Sequence, residues 1–121
     1  MPKILIADDS PTEIKFIESV LAVTGNYLSV ARDGEEAEKM LRNEPFDLVI
    51  LDVVMPKKNG FQLCREIKKD EVLKSIPVII VTSKDQESDR LWGQRQGADM
   101  YLTKPCEPID LLRAVKKCLT R

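Results

Sequence analysis

Short runs of consecutive apolar residues alternate with longer stretches in which apolar positions recur every three or four residues. The purest runs are Ile4-Leu5-Ile6-Ala7, Leu48-Val49-Ile50-Leu51 and Val78-Ile79-Ile80-Val81. Being apolar on successive positions, they predict strands covered on both faces rather than strands with one wet side. The predicted strands are Lys3–Ala7, Tyr27–Ala31, Phe46–Leu51, Val78–Val81 and Asp99–Leu102.

The stretches between them predict helices, most with a start signal. Ser10-Pro11-Thr12-Glu13 has the form of a capping box with proline at the first helical position. The helix it opens places Ile14, Ile17 and Leu21 on one stripe, with Phe16 and Val20 beside it, and Gly25 closes it. Asp33-Gly34-Glu35-Glu36 opens a second helix with Ala37, Met40 and Leu41 inward. Asn59-Gly60 precedes a third, with Leu63, Cys64 and Ile67 inward, and the fifth begins near Pro108 and carries Leu111, Leu112, Val115 and Leu119. The fourth, within Ser83–Gln96, offers little more than Leu91 and Trp92 as apolar anchors. Such a helix is either loosely held and able to shift at small cost or simply a short, solvated helix, and the sequence leaves both readings open.

Strand and helix alternating through the chain predict an α/β fold: a doubly wound parallel sheet with helices on both faces. Sheets of this kind bind ligands outside the carboxyl ends of their strands. The chemistry-bearing residues gather at that edge. Asp8-Asp9 ends the first strand, Asp52 the third, Thr82 the fourth and Lys104-Pro105 the fifth. The chain has 121 residues and Thr120-Arg121 follows the last helix directly, so one domain over 1–121 with no output domain is expected. The bond before Pro105 is open to either isomer on sequence alone.

Composition narrows the options. Hydrophobic content of 43% and charged content of 32% are ordinary for a globular domain. A net charge of −1 gives no field that draws the chain to nucleic acid or anionic lipid. No run reaches membrane-spanning length, and Met1-Pro2-Lys3 leads straight into a strand with no signal peptide, so a cytoplasmic location is expected. Cys64, Cys106 and Cys118 are odd in number and form no CxxC pair; they read as free thiols of a reducing compartment. With no histidine, the chain has neither a histidine general base nor a phosphorylatable histidine.

Carboxylates crowded at one edge repel, and raise one another's pKa, unless a cation sits among them. A hard, oxygen-seeking ion answers that need, and few protein ligands favour Mg²⁺ over Ca²⁺. No Cys or His cluster supports zinc. A carboxylate beside Mg²⁺ can attack phosphorus and become an aspartyl phosphate, and phosphoryl transfer asks mainly for positioning and charge neutralisation. Asp52 is the expected nucleophile, Asp8 and Asp9 the metal holders, and Lys104 and Thr82 the donors to phosphoryl oxygens.

These residues, Asp8-Asp9, Asp52-x-x-Met55-Pro56-x-x-x-Gly60, Thr82 and Lys104-Pro105, resemble the receiver domain of two-component response regulators along nearly the whole chain. The resemblance implies a CheY-like, flavodoxin-like (βα)5 fold with strand order 2-1-3-4-5. It implies that Asp52 accepts phosphate from a sensor histidine kinase or its histidine phosphotransfer domain. It makes Asp9, Asp52 and the backbone carbonyl of Val54 direct Mg²⁺ ligands, and Asp8 a ligand through water. Thr82 and Tyr101 match the family's switch pair, whose hydroxyl moves toward the phosphate while the ring turns inward. The stretch from Lys84 to Ala98 is further similar to stand-alone receivers of the PilH type, from pilus-twitching chemosensory systems. That likeness implies a downstream motility or signalling protein as target, while the near-neutral charge and the lack of a membrane-spanning run leave neither nucleic acid nor membrane as an expected partner. Val54 and Lys84 would flank the water that hydrolyses the acyl phosphate, and valine cannot bind that water through its side chain, so self-dephosphorylation is expected to be slow.

Three other readings compete. A phosphohydrolase of the haloacid-dehalogenase kind also uses an Asp nucleophile and Mg²⁺, but it usually carries a second Asp two residues on, where Val54 stands here. A receiver that binds partners without phosphorylation would not need the full residue set. A phosphate sink or phosphorelay intermediate would need it and bind no target, and sequence does not separate it from a messenger.

Overall fold

The computed structural model describes residues 1–120. Five strands alternate with five α-helices: β1 (Lys3–Ala7), α1 (Pro11–Leu21), β2 (Tyr27–Ala31), α2 (Gly34–Asn43), β3 (Leu48–Leu51), α3 (Gly60–Lys69), β4 (Val78–Thr82), α4 (Glu87–Arg95), β5 (Met100–Thr103) and α5 (Pro108–Leu119). All strand pairs are parallel, and the order across the sheet is β2-β1-β3-β4-β5. This is the flavodoxin-like order expected, with the reversal between β1 and β3.

The alternation of side chains along each strand divides the core into two layers. Leu5, Ala7, Val49, Leu51, Val78 and Ile80 point to the layer covered by α2 and α3, where Ala37, Leu41, Leu63, Cys64 and Ile67 meet them. Ile4, Ile6, Leu48, Ile50, Ile79 and Val81 point to the other, closed by Ile17, Leu21, Leu111, Val115 and Cys118 of α1 and α5. Burying an aliphatic side chain of this kind contributes about 1.5–3 kcal/mol, so the central strands are the rigid base on which their ends are mounted.

Local signals act where the sequence places them. The Ser10 hydroxyl accepts from the Glu13 N–H (3.3 Å), the Asp33 carboxylate from Glu36 N–H (2.8 Å), and the Asn59 side chain from Gln62 N–H (2.9 Å). Helix α1 runs into a 3₁₀ turn, Ala22–Thr24, before Gly25 closes it at φ 73°. Strand β3 starts at Leu48, not Phe46, although the Asp47 N–H still reaches the Lys3 carbonyl (2.8 Å). Strand β5 begins at Met100 rather than Asp99 and runs to Thr103.

Helix α4 has few core anchors, as its sparse apolar residues predict: Leu91 and Trp92 are 53% and 48% exposed, and the buried residue of this helix is Gly93. A Cβ at Gly93 would lie 2.8 Å from Cδ2 of Tyr101. Close backbone approach to β5, not side-chain burial, seats the helix.

Candidate functional site

Sheet register brings the acids together. Ala7 pairs with Leu51, so the next residues, Asp8 and Asp52, leave the sheet at the same level. The pairing runs one step beyond the strands, with the Asp52 N–H donating to the Ala7 carbonyl (3.0 Å) and the Asp8 N–H to the Ala31 carbonyl (3.0 Å). On the other side Thr82 pairs with Thr103, and the Lys104 N–H donates to the Thr82 carbonyl (2.8 Å). The Lys104–Pro105 bond is cis.

Lys104 joins the two halves. Its Nζ donates to Oδ2 of Asp8 (3.0 Å) and to Oδ2 of Asp52 (3.1 Å). The other Asp8 oxygen accepts from the Ser10 N–H (2.9 Å), and Oδ1 of Asp52 from the Val53 N–H (2.6 Å). Asp8 is 1% exposed and Asp52 8%, whereas Asp9 stands open to solvent. One carboxylate oxygen from each of Asp8, Asp9 and Asp52 lies within 4.8 Å of the others.

The electrostatics of this pocket are unbalanced. Burial pushes the Asp8 carboxyl above the usual carboxylate range, and its bonds from Ser10 and Lys104 only partly oppose that. Burial pulls Lys104 down, but the hydrogen bond to Asp8 and the charges of Asp52 and Asp8 together hold it above an ordinary lysine. One lysine is therefore shared by acids whose charge it does not fully offset. An all-oxygen donor set with surplus negative charge fits a hard divalent cation.

The connection from β3 to α3 carries Val54 past this edge. Gly60 N–H donates to the Val53 carbonyl (2.8 Å), and Lys58 N–H and Gly34 N–H both donate to the Pro56 carbonyl (2.7 and 3.3 Å), leaving the Val54 carbonyl outside that set. The side chain of Val54 faces solvent, 56% exposed. Gly60 is required here, because a Cβ would lie 2.0 Å from the Asp52 carbonyl oxygen. Thr82 is fully buried at the end of β4, and its hydroxyl accepts from the Lys84 N–H (3.4 Å). Tyr101 lies to one side, its hydroxyl donating to the Lys84 carbonyl (2.8 Å). Burial, with Asp89 nearby, pushes its phenol up to about 12.

Two supports escaped the sequence reading. Lys58 reaches Glu38 of α2 and Glu66 of α3, each at 2.5 Å, and so ties the loop beside Asp52 to both helices. Arg90 of α4 lies over the Tyr101 ring, 5.5 Å from its centroid, and donates to the Thr103 hydroxyl (3.4 Å). Neither has a sequence signature, since each depends on which elements become neighbours.

A family model described as "Response regulator receiver domain" matches residues 4–116. The protein PilH of Pseudomonas aeruginosa is 46% identical over 119 residues, which is 98% of each chain. Bacillus subtilis PhoP, an alkaline phosphatase synthesis transcriptional regulatory protein, is 36% identical over 98% of this chain. The chain spans only 49% of that longer regulator. Among solved structures, the signal receiver domain of a histidine kinase from Syntrophus aciditrophicus superposes with a TM-score of 0.92 at 38% identity, covering 99% of this chain and 91% of that one. The receiver domain of the sensor histidine kinase PA1611 from Pseudomonas aeruginosa, solved with a magnesium ion coordinated in its active-site cleft, gives 0.91 at 26% identity over 99% and 98% of the two chains.

The chain belongs to the response regulator receiver family. Receivers are signalling domains of two-component systems that are phosphorylated by histidine kinases, coordinate Mg²⁺ in an acidic pocket and bind downstream targets. Among the described residues no helix is long and apolar enough to cross a membrane.

Proposed function

We propose that this chain is a stand-alone receiver in which Asp52 accepts a phosphoryl group and thereby changes partner binding, in a pathway controlling twitching or a related chemosensory behaviour. The carrying observation is the junction of Asp8, Asp52 and Lys104, three residues from three strand ends within hydrogen-bond reach. The pathway assignment draws on the likeness to PilH, whose whole length the chain nearly spans. Three free cysteines fit a reducing compartment such as the cytoplasm.

Asp9, Asp52 and the Val54 carbonyl would hold Mg²⁺ directly, and Asp8 through water. Bound there, the ion supplies positive charge to the phosphoryl oxygens. An Asp52 oxygen attacks phosphorus in line, the bond from phosphorus to the kinase histidine nitrogen breaks, and that nitrogen leaves with the electron pair. Lys104 already sits on the Asp52 carboxylate and follows the charge onto the new phosphoryl oxygens. Thr82, at the end of the neighbouring strand, offers a hydroxyl donor.

The added group carries about −1.5 to −2 charges. Moving a two-state equilibrium from 1:99 to 99:1 takes about 5.5 kcal/mol of differential interaction, which two or three charge-assisted hydrogen bonds at about 1.5–3 kcal/mol each supply. Helix α4 is the element such a bias moves at least cost, because no large side chain of it is buried.

Amide spectra with beryllofluoride and Mg²⁺ test this reading. Wild type should show shifts at Asp52, Thr82, Tyr101 and along α4, and Asp52→Asn should show none. Shifts confined to the Mg²⁺ ligands would remove the switch; identical shifts in Asp52→Asn would remove Asp52 as acceptor.

A further inference from the structure

The cleft between α3 and α4 has the chemistry of a docking site. It encloses about 220 Å³, and its lining includes Phe61 and Arg65 of α3, Trp92 of α4 and Gln96 just beyond it. Trp92 is the sole tryptophan of the chain and is 48% exposed. Gln62 and Arg65 also line the adjoining cleft over the end of α3, so the two form one trough that continues to Lys69. Arg95 lies on the next strip of α4, three residues after Trp92.

Three acids of this quarter are already held by cations, Glu66 by Lys58, Asp70 by Arg42 and Asp99 by Lys68, while Asp89, three residues before Trp92, accepts from the Gln86 N–H (3.3 Å). Arg65, Lys69 and Arg95 have no ion pair or hydrogen bond of their side chains among the described residues. An exposed indole beside unpaired guanidinium groups is the composition that dominates binding energy in protein interfaces. Complementary charge would orient a partner and speed its approach.

We propose that this cleft receives an acidic amphipathic helix of a protein partner. An apolar side chain seats against Trp92 and Phe61, and carboxylates of the same helix meet Arg65, Lys69 and Arg95. The floor of the cleft also touches the switch. A Cβ at Gly93 would meet Tyr101 at 2.8 Å and Phe61 at 3.3 Å, so the ring of Tyr101, the backbone of α4 and the Phe61 ring are packed together. Rotation of Tyr101 therefore changes the shape of the cleft. That coupling rests on the phosphorylation switch proposed above; the cleft's affinity for an acidic helix does not.

The test is an amide-spectrum titration of the full chain with a synthetic helical peptide bearing Glu on one face and Leu and Phe on the other, and with the same peptide carrying Lys for Glu. Trp92 fluorescence gives a second readout. The acidic peptide should shift Phe61, Arg65, Trp92 and Gln96 saturably, more weakly at high salt, and the basic peptide should not. The double variant R65E/K69E, exposed at both positions and checked for an unchanged melting curve, should bind at least tenfold more weakly. Absence of saturable shifts at millimolar peptide overturns the proposal. So do equal effects of the two peptides, wild-type binding by the charge-reversed variant, or filling of the cleft by a second copy of the chain as concentration rises. Repeating the titration with beryllofluoride separates the parts. An unchanged affinity when Asp52 itself shifts overturns the coupling. No shift at Asp52 contradicts the phosphorylation reading, and the docking claim is then decided by the titration without beryllofluoride.

Discussion

Lys104→Met should have opposite effects on stability and on metal affinity, and both follow from the geometry of the pocket. The ammonium group donates to Asp8 at 3.0 Å and Asp52 at 3.1 Å, and its side chain is 13% exposed. Methionine keeps much of the volume and removes the charge. Breaking a buried pair by deleting one partner costs about 3–5 kcal/mol, and the partial exposure of this one places the loss near the lower end, about 3 kcal/mol at neutral pH without metal. At roughly 4 °C per kcal/mol for a domain of this size, the melting temperature should fall by about 12 °C. The loss should shrink as pH is lowered, because Asp8, already pushed up by burial and further so without the lysine, takes up a proton and ceases to need a counter-charge. Metal binding should move the other way. The same lysine competes with any cation for the carboxylates, so its removal should tighten Mg²⁺ by about tenfold, or 1.4 kcal/mol. Saturating Mg²⁺ should then recover most of the lost stability, since a ligand at 100 times its Kd contributes about 2.7 kcal/mol. Urea melts with and without Mg²⁺, beside calorimetric Mg²⁺ titrations of both proteins, give the two numbers. Equal metal-free stability would show that Lys104 neutralises nothing. Unchanged or weaker Mg²⁺ binding would place the metal elsewhere.

Asp8→Asn should raise the metal-free melting temperature at neutral pH, because the ionised Asp8 carboxyl is held at a cost: its pKa is raised, so stability falls as pH rises from 3.8 through its folded value. The same change should weaken stabilisation by Mg²⁺, and a melting curve that responds to neither would count against the charge imbalance of the pocket. At the alkaline end, Lys104 is raised above 10.5, so the stability it contributes is present below 10.5 and lost as pH climbs through its folded value; wild type but not Lys104→Met should show that loss when both carry Tyr101→Phe, which removes the phenol titrating near 12. Val54→Asn should speed loss of the acyl phosphate by about 3–10-fold, the worth of one hydrogen bond of roughly 0.5–1.5 kcal/mol to the attacking water; an unchanged decay would dismiss Val54 as the brake. Thr82→Ala should still take up phosphate but lose most of the change in α4 amide shifts, and wild-type shifts in that variant would break the proposed link between hydroxyl and helix.

Much of the architecture is legible because its causes are local. Continuous apolar runs betray strands covered on both faces, and Ser10, Asp33 and Asn59 cap helices through bonds to residues three positions away. The acids at strand ends are legible for a related reason: an Asp that closes an apolar run leaves the sheet at a defined edge. Position within the sheet is another matter. Nothing in Leu48–Leu51 states that β1 is its neighbour, and strand order was expected from family likeness rather than from spacing. The supports by Lys58 and Arg90 were invisible for the same reason, as each joins elements that only the folded chain brings together. The scarcity of apolar residues in α4 foretells its thin anchoring, but the direction in which Leu91 and Trp92 face does not follow from it. Leu91 and Trp92 point out, and the glycine beside them makes the contact.

The most direct test of the central claim is the intact mass of the protein after incubation with acetyl phosphate and Mg²⁺, beside Asp52→Asn and a sample with the metal chelated. The account predicts one added phosphoryl group on wild type and none on the other two, with beryllofluoride binding following the same pattern. An adduct that persists in Asp52→Asn, or wild type that takes neither phosphate nor beryllofluoride, would contradict it.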